Sequence, residues 1–471
     1  MKSPELLLPA GGLDRMRAAF DFGADAVYAG QPRYSLRARN NEFVRFEKMK
    51  QAIDEAHARG KKFFVASNVI PHNSKLKTYL DDLVPIMEMK PDALIMADPG
   101  LIMKTKERWP EAVIHLSVQA NTTNYWGVQF WQKAGVERII LSRELSLDEI
   151  EEIRQECPDI ELEVFVHGAL CIAYSGRCLL SGYFNQRDPN QGTCTNSCRW
   201  DYKVHETKES DAGDAQLLQG FDFNQLQEEA NANFAACGGA PRHPLADKVY
   251  LLEESNRPGQ FMPIMEDEHG TYIMNSKDLR AIEQVERLIK IGVDSLKVEG
   301  RTKSIYYVAR VAQAYRRAID DAVAGRPFNP ELLADLEGLA NRGYTPGFLE
   351  RHQTQEYQNY LHNYSISKKT QYAGIVLSVD EEGWATIEVK NRFAVGDTLE
   401  VVHPDGNQLM LVEAIELDGN PIDVAPGNGI QVRVPNMHGK EKAVIARILD
   451  EKSKDKVEQI IRGETRKNKK G

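Results

Sequence analysis

The chain has 471 residues, of which 42% are hydrophobic, and a formal net charge of −10, so it can form two or three domains with a sizeable core. The acidic balance argues against a protein that coats nucleic acid along its whole surface, but it leaves room for a local basic patch. The sequence shows neither a run of about 18 uncharged apolar residues nor a secretory leader, so we expect a cytoplasmic protein without a membrane span.

The first part of the chain repeats a unit of one strand followed by one helix. The predicted strands are Leu6–Leu8, Asp25–Ala29, Lys62–Ser67, Ala93–Ala97, Ile114–Val118, Arg138–Ser142, Leu162–Val166 and, after a long insertion, Ser295–Val298. Continuous apolar runs are typical of parallel strands that are buried on both faces. Eight such units predict an α/β fold, a (β/α)8 TIM-like barrel, with an open doubly wound sheet as the alternative.

In such a barrel, the residues that follow the strands face one shared mouth. The polar residues at these positions include Gln31, Asn68, Asp98, Gln119, Asn121, Arg143, Glu144, His167, Glu299 and Arg301. Polar groups at strand ends also serve as helix caps and loop hydrogen-bonding groups, so position alone does not assign a function to any one of them.

Four of the six cysteines follow the seventh strand closely, at Cys171, Cys178, Cys194 and Cys198. Four thiolates suit a zinc site or an iron–sulfur cluster. Structural zinc usually takes two short pairs, whereas only Cys194 and Cys198 form one here, which favours the cluster. Free or disulfide-bonded cysteines are the alternative, although a reducing compartment disfavours disulfides. We expect Cys157 and Cys237 to be free thiols.

A long insertion, at about residues 170–290, is predicted between the seventh and eighth strands. Its middle, residues 205–246, is polar and poor in large apolar side chains, so we expect it to be mobile or disordered. The amphipathic patterns predict helices at Asp278–Ile291, with Asn275 and Ser276 as cap residues, and at Ser304–Ala324 and Pro330–Arg342.

After about residue 371 the pattern changes to short alternating strands separated by turn residues, which predicts a small C-terminal β-barrel. The predicted domains are a catalytic barrel at 1–330, a helical linker at 331–370, the small β-barrel at 371–450 and a basic tail at 451–471. The tail could contact phosphates, but a solvated basic terminus is the commoner meaning of such a segment.

Long motifs around the cysteines carry a family resemblance. Residues 163–181, with Gly168-Ala-Leu-Cys171 and Ser175-Gly-Arg-Cys178, resemble the signature of the collagenase-like peptidase family. Residues 185–201, 267–278 and 295–303 resemble the branch of that family that acts on tRNA. The similarity extends from Pro4 to the C-terminal small domain. Many members of the family resemble iron–sulfur proteins that hydroxylate a ring without molecular oxygen.

The resemblance implies an iron–sulfur-dependent tRNA hydroxylase. It implies formation of 5-hydroxyuridine at the wobble position, the first step toward 5-carboxymethoxyuridine, with prephenate as the oxygen donor. Of the possible clusters, four thiolates suit [4Fe–4S] best. The expected partners are tRNA and prephenate, and a further protein partner stays open. Two alternatives also stay open: a hydroxylase that acts on ribosomal RNA, and a peptidase with Cys171 as nucleophile and His167 as base.

Prephenate carries two carboxylates, so we expect arginine or lysine side chains in its pocket. The candidates are Arg143, Lys297 and Arg301 at the mouth. Glu144 and Glu299 are their acidic neighbours, and internal ion pairs are the alternative. A flipped base would also need a stacking surface. Tyr174 and Trp200 could provide that surface beside Gln119 and Asn121, or they could instead shield the cluster from water.

Overall fold

The computed structural model describes residues 2–36, 41–170, 277–300, 303–339, 341, 343–350 and 370–449, and the backbone of four strands between residues 202 and 264. Eight parallel strands form a closed barrel, because the last of them pairs with both the first and the seventh. They are β1 (Glu5–Pro9), β2 (Ala26–Gly30), β3 (Lys62–Ser67), β4 (Ala93–Met96), β5 (Ile114–Leu116), β6 (Arg138–Ile140), β7 (Glu161–Ala169) and β13 (Ser295–Val298). This closure confirms the TIM-like barrel and excludes the open sheet.

Helices follow the barrel strands. They are α1 (Leu13–Asp21), α2 (Phe46–Ala58), α3 (Asn73–Glu88), α4 (Pro99–Arg108), α5 (Tyr125–Lys133), α6 (Leu147–Glu156), α7 (Val285–Ile291) and α8 (Ile305–Val323). The local sequence explains their starts, as in α6, where Ser146 and Glu149 form a reciprocal capping box. None of the helices in the described residues combines the length and apolar character needed to cross a membrane.

Strands of the insertion lie between β7 and β13. They are β8 (Tyr202–Glu209), β9 (Ala215–Leu217), β10 (Tyr250–Glu254), β11 (Phe261–Ile264) and β12 (Asp278–Arg280). The first four form a separate antiparallel sheet. The predicted mobile middle of the insertion, Cys237 and the cap residues Asn275 and Ser276 lie largely or wholly outside the described residues.

The predicted helix Asp278–Ile291 is wrong at its start. Residues 278–280 form β12, which pairs antiparallel with the end of β7, and the helix begins only at Val285. The cause is tertiary pairing, because Leu279 lies opposite Gly168 on an unusually long strand. This pairing extends the sheet beyond the barrel rim.

The C-terminal region forms the predicted small β domain. Helix α9 (Glu331–Glu337) and strand β14 (Tyr344–Thr345), which pairs with β12, precede it. Its strands are β15 (Thr370–Val379), β16 (Ala385–Val389), β17 (Phe393–Ala394), β18 (Thr398–Val402), β19 (Gln408–Leu411), β20 (Glu416–Leu417), β21 (Asn420–Pro421), β22 (Val424–Ala425), β23 (Gln431–Val434) and β24 (Val444–Ile448). Antiparallel pairing brings them around one core, which contains Ile387, Phe393 and Leu399.

Helix α8 joins the barrel to the C-terminal domain. Arg310, whose side chain is 4% exposed, pairs with Glu400 of β18 at 2.8 Å. The amide of Gln313 donates to the carbonyl oxygen of His403 at 2.7 Å. Most residues of α8 are buried, since one side faces the barrel and the other faces the β domain.

Candidate active site

Arg143, just after β6, lies at the mouth of the barrel. Its guanidinium carbon is 3.9 Å from the ring centroid of Phe165, and its Nη1 donates to the carbonyl oxygen of Ala169 at 3.0 Å. Its Nη2 is 3.9 Å from Glu299 Oε2, and its side chain is 11% exposed. Its Nε has no hydrogen-bond partner among the residues that the structure describes. Arg143 is therefore a restrained, nearly buried cation with a donor to spare.

Glu299 reaches the same place from the end of β13. The Tyr28 hydroxyl lies 3.3 Å from Glu299 Oε2 and 3.0 Å from the carbonyl oxygen of Val298. Gly168 has a φ of +105°, and a Cβ there would lie 2.3 Å from the carbonyl oxygen of Glu299. The ends of β7 and β13 thus approach so closely that only glycine fits, which fixes Glu299 beside Arg143.

Ser142 and Glu144, the residues on either side of Arg143, belong to a second polar group at the mouth. The Ser142 hydroxyl contacts the Glu144 carboxylate and lies 3.1 Å from Asn121 Oδ1. Asn121 ends a short 3-10 turn in a left-handed conformation with φ 55°, and Gln119 lies inside that turn. Glu144, Asn121 and Gln119 therefore belong to the mouth, as predicted for their positions.

His167 faces away from the mouth. The register between β7 and β13 shifts near this residue, and the imidazole packs among Tyr307 and Tyr315 of α8 and Tyr344 of β14, with ring centroids 5.5–5.8 Å apart. Burial lowers the pKa of His167 from its ordinary value of 6.5 to about 3, against a smaller opposing effect of Asp278. The ring is therefore a neutral group in the layer between barrel and helix.

We expected Lys297 at the mouth, but it lies inside the barrel, below the mouth. Its Nζ is 2.6 Å from Glu163 Oε1 and 4.4 Å from the ring centroid of Tyr28, and the residue is 3% exposed. Glu163 also contacts Arg138 at 3.1 Å, and Arg138 contacts Glu5 at 2.6 Å. Burial alone would raise the pKa of Glu163, but the charges of Lys297 and Arg138 outweigh it and lower that pKa. Lys297 thus forms the internal ion pair that was the alternative to a binding role.

The remaining predicted site residues lie outside the described residues: Arg301, Tyr174, Trp200, Cys171, Cys178, Cys194 and Cys198. Their assignments stay predictions. The described chain reaches Leu170, one residue beyond the carbonyl group that binds Arg143, so it enters the cysteine segment from the mouth. Cys157 is a buried free thiol, as predicted. Within the described residues, no group of three or more His, Cys, Asp or Glu side chains could hold a metal ion.

Sequence reasoning missed Tyr28, Ser142 and Phe165, which hold the mouth residues in place. All three lie in or beside apolar strand runs, where the pattern indicates only a core position. Of the three, only Tyr28 could have been identified from the sequence, because a buried tyrosine hydroxyl needs a hydrogen-bond partner.

Two family models together match most of the chain. Residues 11–359 match the family described as Peptidase family U32, and residues 368–447 match the Peptidase family U32 C-terminal domain. The chain is 58% identical over 436 residues to tRNA hydroxylation protein P of Escherichia coli, which covers 92% of this chain and 94% of that protein.

Two further relatives show how far the similarity extends. The chain is 55% identical to tRNA hydroxylation protein P of Haemophilus influenzae, over 95% of this chain and 96% of that protein. It is 29% identical to the 23S rRNA 5-hydroxycytidine C2501 synthase of Escherichia coli, over 68% of this chain and 40% of that protein. With a family match over most of its length and relatives of this similarity, the chain belongs to peptidase family U32.

Proposed function

We propose that this chain is a tRNA hydroxylase that converts a wobble uridine to 5-hydroxyuridine, with prephenate as oxygen donor and an iron–sulfur cluster as cofactor. One observation carries the proposal: the 58% identity to tRNA hydroxylation protein P of Escherichia coli extends over 92% of this chain and 94% of that protein. Uridine as the base, prephenate and the cluster come from the motif resemblance.

Cys171, Cys178, Cys194 and Cys198 would hold the cluster. Four thiolates are the donor set of a [4Fe–4S] cluster, and the chain leaves β7 for this segment at the mouth, next to the carbonyl group bound by Arg143. When bound, the cluster would supply the redox chemistry of oxygen transfer.

Arg143 is the residue we assign to a carboxylate of prephenate. Its contact with Phe165 already restrains the guanidinium, so binding a carboxylate would cost little further side-chain entropy. Its nearest carboxylate, Glu299, is at the long distance of 3.9 Å, which leaves binding capacity for an anion. Lys297 has no such capacity, because Glu163 neutralises it, and we assign it a structural role.

Glu144 is the residue we assign to proton transfer. Hydroxylation replaces the hydrogen at C5 of uridine, so a group at the mouth must accept that proton. Glu144 accepts a hydrogen bond from Ser142 and has no cationic partner in the described part of the chain. A carboxylate without a paired cation is the better base of the two acidic groups at the mouth, since Glu299 lies beside Arg143.

The test is nucleoside analysis of tRNA from a bacterial strain that lacks its own tRNA hydroxylase. We expect the wild-type gene and Cys157→Ala to restore 5-hydroxyuridine-derived nucleosides, and Cys171→Ala, Cys178→Ala, Cys194→Ala and Cys198→Ala to restore none. Protein purified without oxygen should contain about four iron and four sulfide per chain, and the four variants should lose them.

Two results would contradict the proposal, and a third would change the assignment of one cluster ligand. Restored 5-hydroxycytidine in 23S rRNA with unmodified tRNA would favour the ribosomal alternative. Peptide cleavage lost only in Cys171→Ala would favour the peptidase. Iron retained in Cys198→Ala would move the fourth ligand to another group.

A further inference from the structure

Helix α5 exposes two aromatic rings to solvent. Trp126 is 73% exposed and Phe130 is 61% exposed, whereas Val128 between them is fully buried. Residues four apart lie on the same face of a helix, so the two rings share the outer face of α5. Lys133 lies three residues beyond Phe130 on that face and is also exposed. We call Trp126, Phe130 and Lys133 the α5 face.

The α5 face differs from the outer faces of several other helices of the barrel. Those helices carry ion pairs one turn apart, such as Lys50–Asp54 on α2, Lys104–Glu107 on α4 and Arg316–Asp320 on α8. Such pairs are the ordinary way in which a solvent-facing helix surface is built. Lys133, by contrast, has no acidic partner anywhere in the described ranges.

The sequence segment that contains α5 is also unusual for this chain in its charge. The chain has 69 acidic residues, yet none lies between Glu111 and Glu137. This acid-free segment contains β5, the mouth residues Gln119 and Asn121, and the whole of α5. A polyanion could therefore approach along it without meeting a carboxylate of the segment, although the chain as a whole is acidic.

The acid-free segment connects the α5 face to the mouth. Asn121 contacts Ser142 at the mouth, and α5 begins four residues later, with Asn124 accepting the hydrogen bond of Gly127 N at its start. Trp126 is therefore at the mouth end of α5, and Phe130 and Lys133 follow down the outside of the barrel.

We propose that the α5 face binds single-stranded RNA beside the mouth, with unpaired bases stacked on Trp126 and Phe130 and a phosphate contacted by Lys133. Exposed aromatic rings are the platforms on which proteins stack unpaired bases, and a lysine supplies the charge that the backbone requires. An apolar protein partner would fit the rings but would leave the charge of Lys133 without a counterpart. The inference rests on the proposed function, because that function supplies the RNA substrate.

The test measures tRNA binding and turnover with full-length protein, using unmodified tRNA from the strain without tRNA hydroxylase. The double variant Trp126→Leu/Phe130→Leu keeps the apolar character and removes the rings. We expect it to bind tRNA about 10-fold or more weakly for each ring, with a raised KM for tRNA and an unchanged kcat. Trp126→Phe and Phe130→Tyr should retain the affinity for tRNA. Lys133→Gln should reduce the slope of log affinity against log salt concentration by about one, the value for one lost phosphate contact.

Leu377→Ala is the matched control, because Leu377 is 48% exposed on the C-terminal domain, and it should bind tRNA like the wild type. Unchanged tRNA affinity in the double leucine variant would overturn the inference and leave the α5 face to a protein partner. Hydroxylation with an unchanged KM in that variant would do the same while the proposed function stands. Ring-dependent tRNA binding by a wild-type protein that forms no 5-hydroxyuridine would instead overturn the proposed function alone.

Discussion

The two ends of the barrel use the same residue types in opposite ways. At the amino end, Arg138 contacts Glu5 at 2.6 Å and Glu163 at 3.1 Å. At the carboxyl end, the carboxylate nearest to Arg143 is Glu299, at 3.9 Å. Arg138 begins β6 and Arg143 follows its end, so a single short strand separates a saturated arginine from one with spare donors. The difference agrees with our proposal that ligands bind at the carboxyl end, while residues at the amino end of this fold usually serve stability.

The largest expected effect comes from breaking the amino-end network. Glu163→Ala would leave Lys297 and Arg138 buried with one carboxylate fewer, and removing one partner from a buried ion pair typically lowers the free energy of unfolding by about 3–5 kcal/mol. Urea unfolding measures this change. Lys104→Ala is the control, because it removes an exposed pair with Glu107 and should alter the free energy by less than about 0.5 kcal/mol.

Should Glu163→Ala fail to accumulate, Glu163→Gln would preserve the volume and still show a lower urea midpoint than the wild type. Equal midpoints for Glu163→Gln and Lys104→Ala would remove the contrast between the two ends.

The next effect, at the carboxyl end, concerns activity rather than stability. Arg143→Gln removes a charged donor set, and hydrogen bonds to charged groups contribute about 1.5–3 kcal/mol, so the KM for prephenate should rise about 10- to 100-fold. Steady-state kinetics with tRNA at saturation measures this change. Arg143→Lys should recover only part of the affinity, because an ammonium group lacks the planar fork. A variant with a normal KM and a large loss of stability would show that Arg143 is structural, like Arg138.

The smallest expected effect near neutral pH is a pH dependence of stability. The pKa of His167 is about 3 in the folded protein because the ring is buried, and the unfolded chain has the ordinary value of 6.5. The unfolded chain therefore binds a proton that the folded protein does not, so this contribution is complete above pH 6.5 and declines as the pH falls toward 3.

Urea midpoints measured from about pH 7 to about pH 4 test this effect. His167→Gln should flatten the decline by up to about 1.4 kcal/mol per pH unit. Leu377→Ala is the control, because it changes an exposed side chain of the C-terminal domain that does not titrate, and it should leave the slope unchanged. A His167→Gln slope equal to that of the wild type would show that His167 titrates normally.

The sequence predicts the barrel well because local pattern decides it. Runs such as Lys62–Ser67 and Ser295–Val298 coincide with the observed strands, since a parallel strand buried on both faces needs apolar residues throughout. The strand β12 was beyond such reasoning, because its pairing with β7 depends on how far β7 extends past the barrel.

Side-chain direction limited the prediction of the site in the same way. Proximity to a strand end placed Arg143 and Glu299 correctly at the mouth, but it does not distinguish the two faces of a strand. Lys297 points into the barrel in regular register, whereas His167 points to α8 because the register between β7 and β13 shifts beside it. One residue of register exchanges the faces of a strand, and no local pattern encodes it.

The position of α8 has a practical consequence for anyone who wishes to produce the barrel alone. A chain that stops before residue 370 would uncover the guanidinium of Arg310 and the amide of Gln313, together with the apolar surface that surrounds them. Such a fragment would expose a long apolar surface along α8 that favours aggregation. That side of the helix would need to be redesigned with polar residues. The intact chain is the smallest sensible unit for expression and crystallisation.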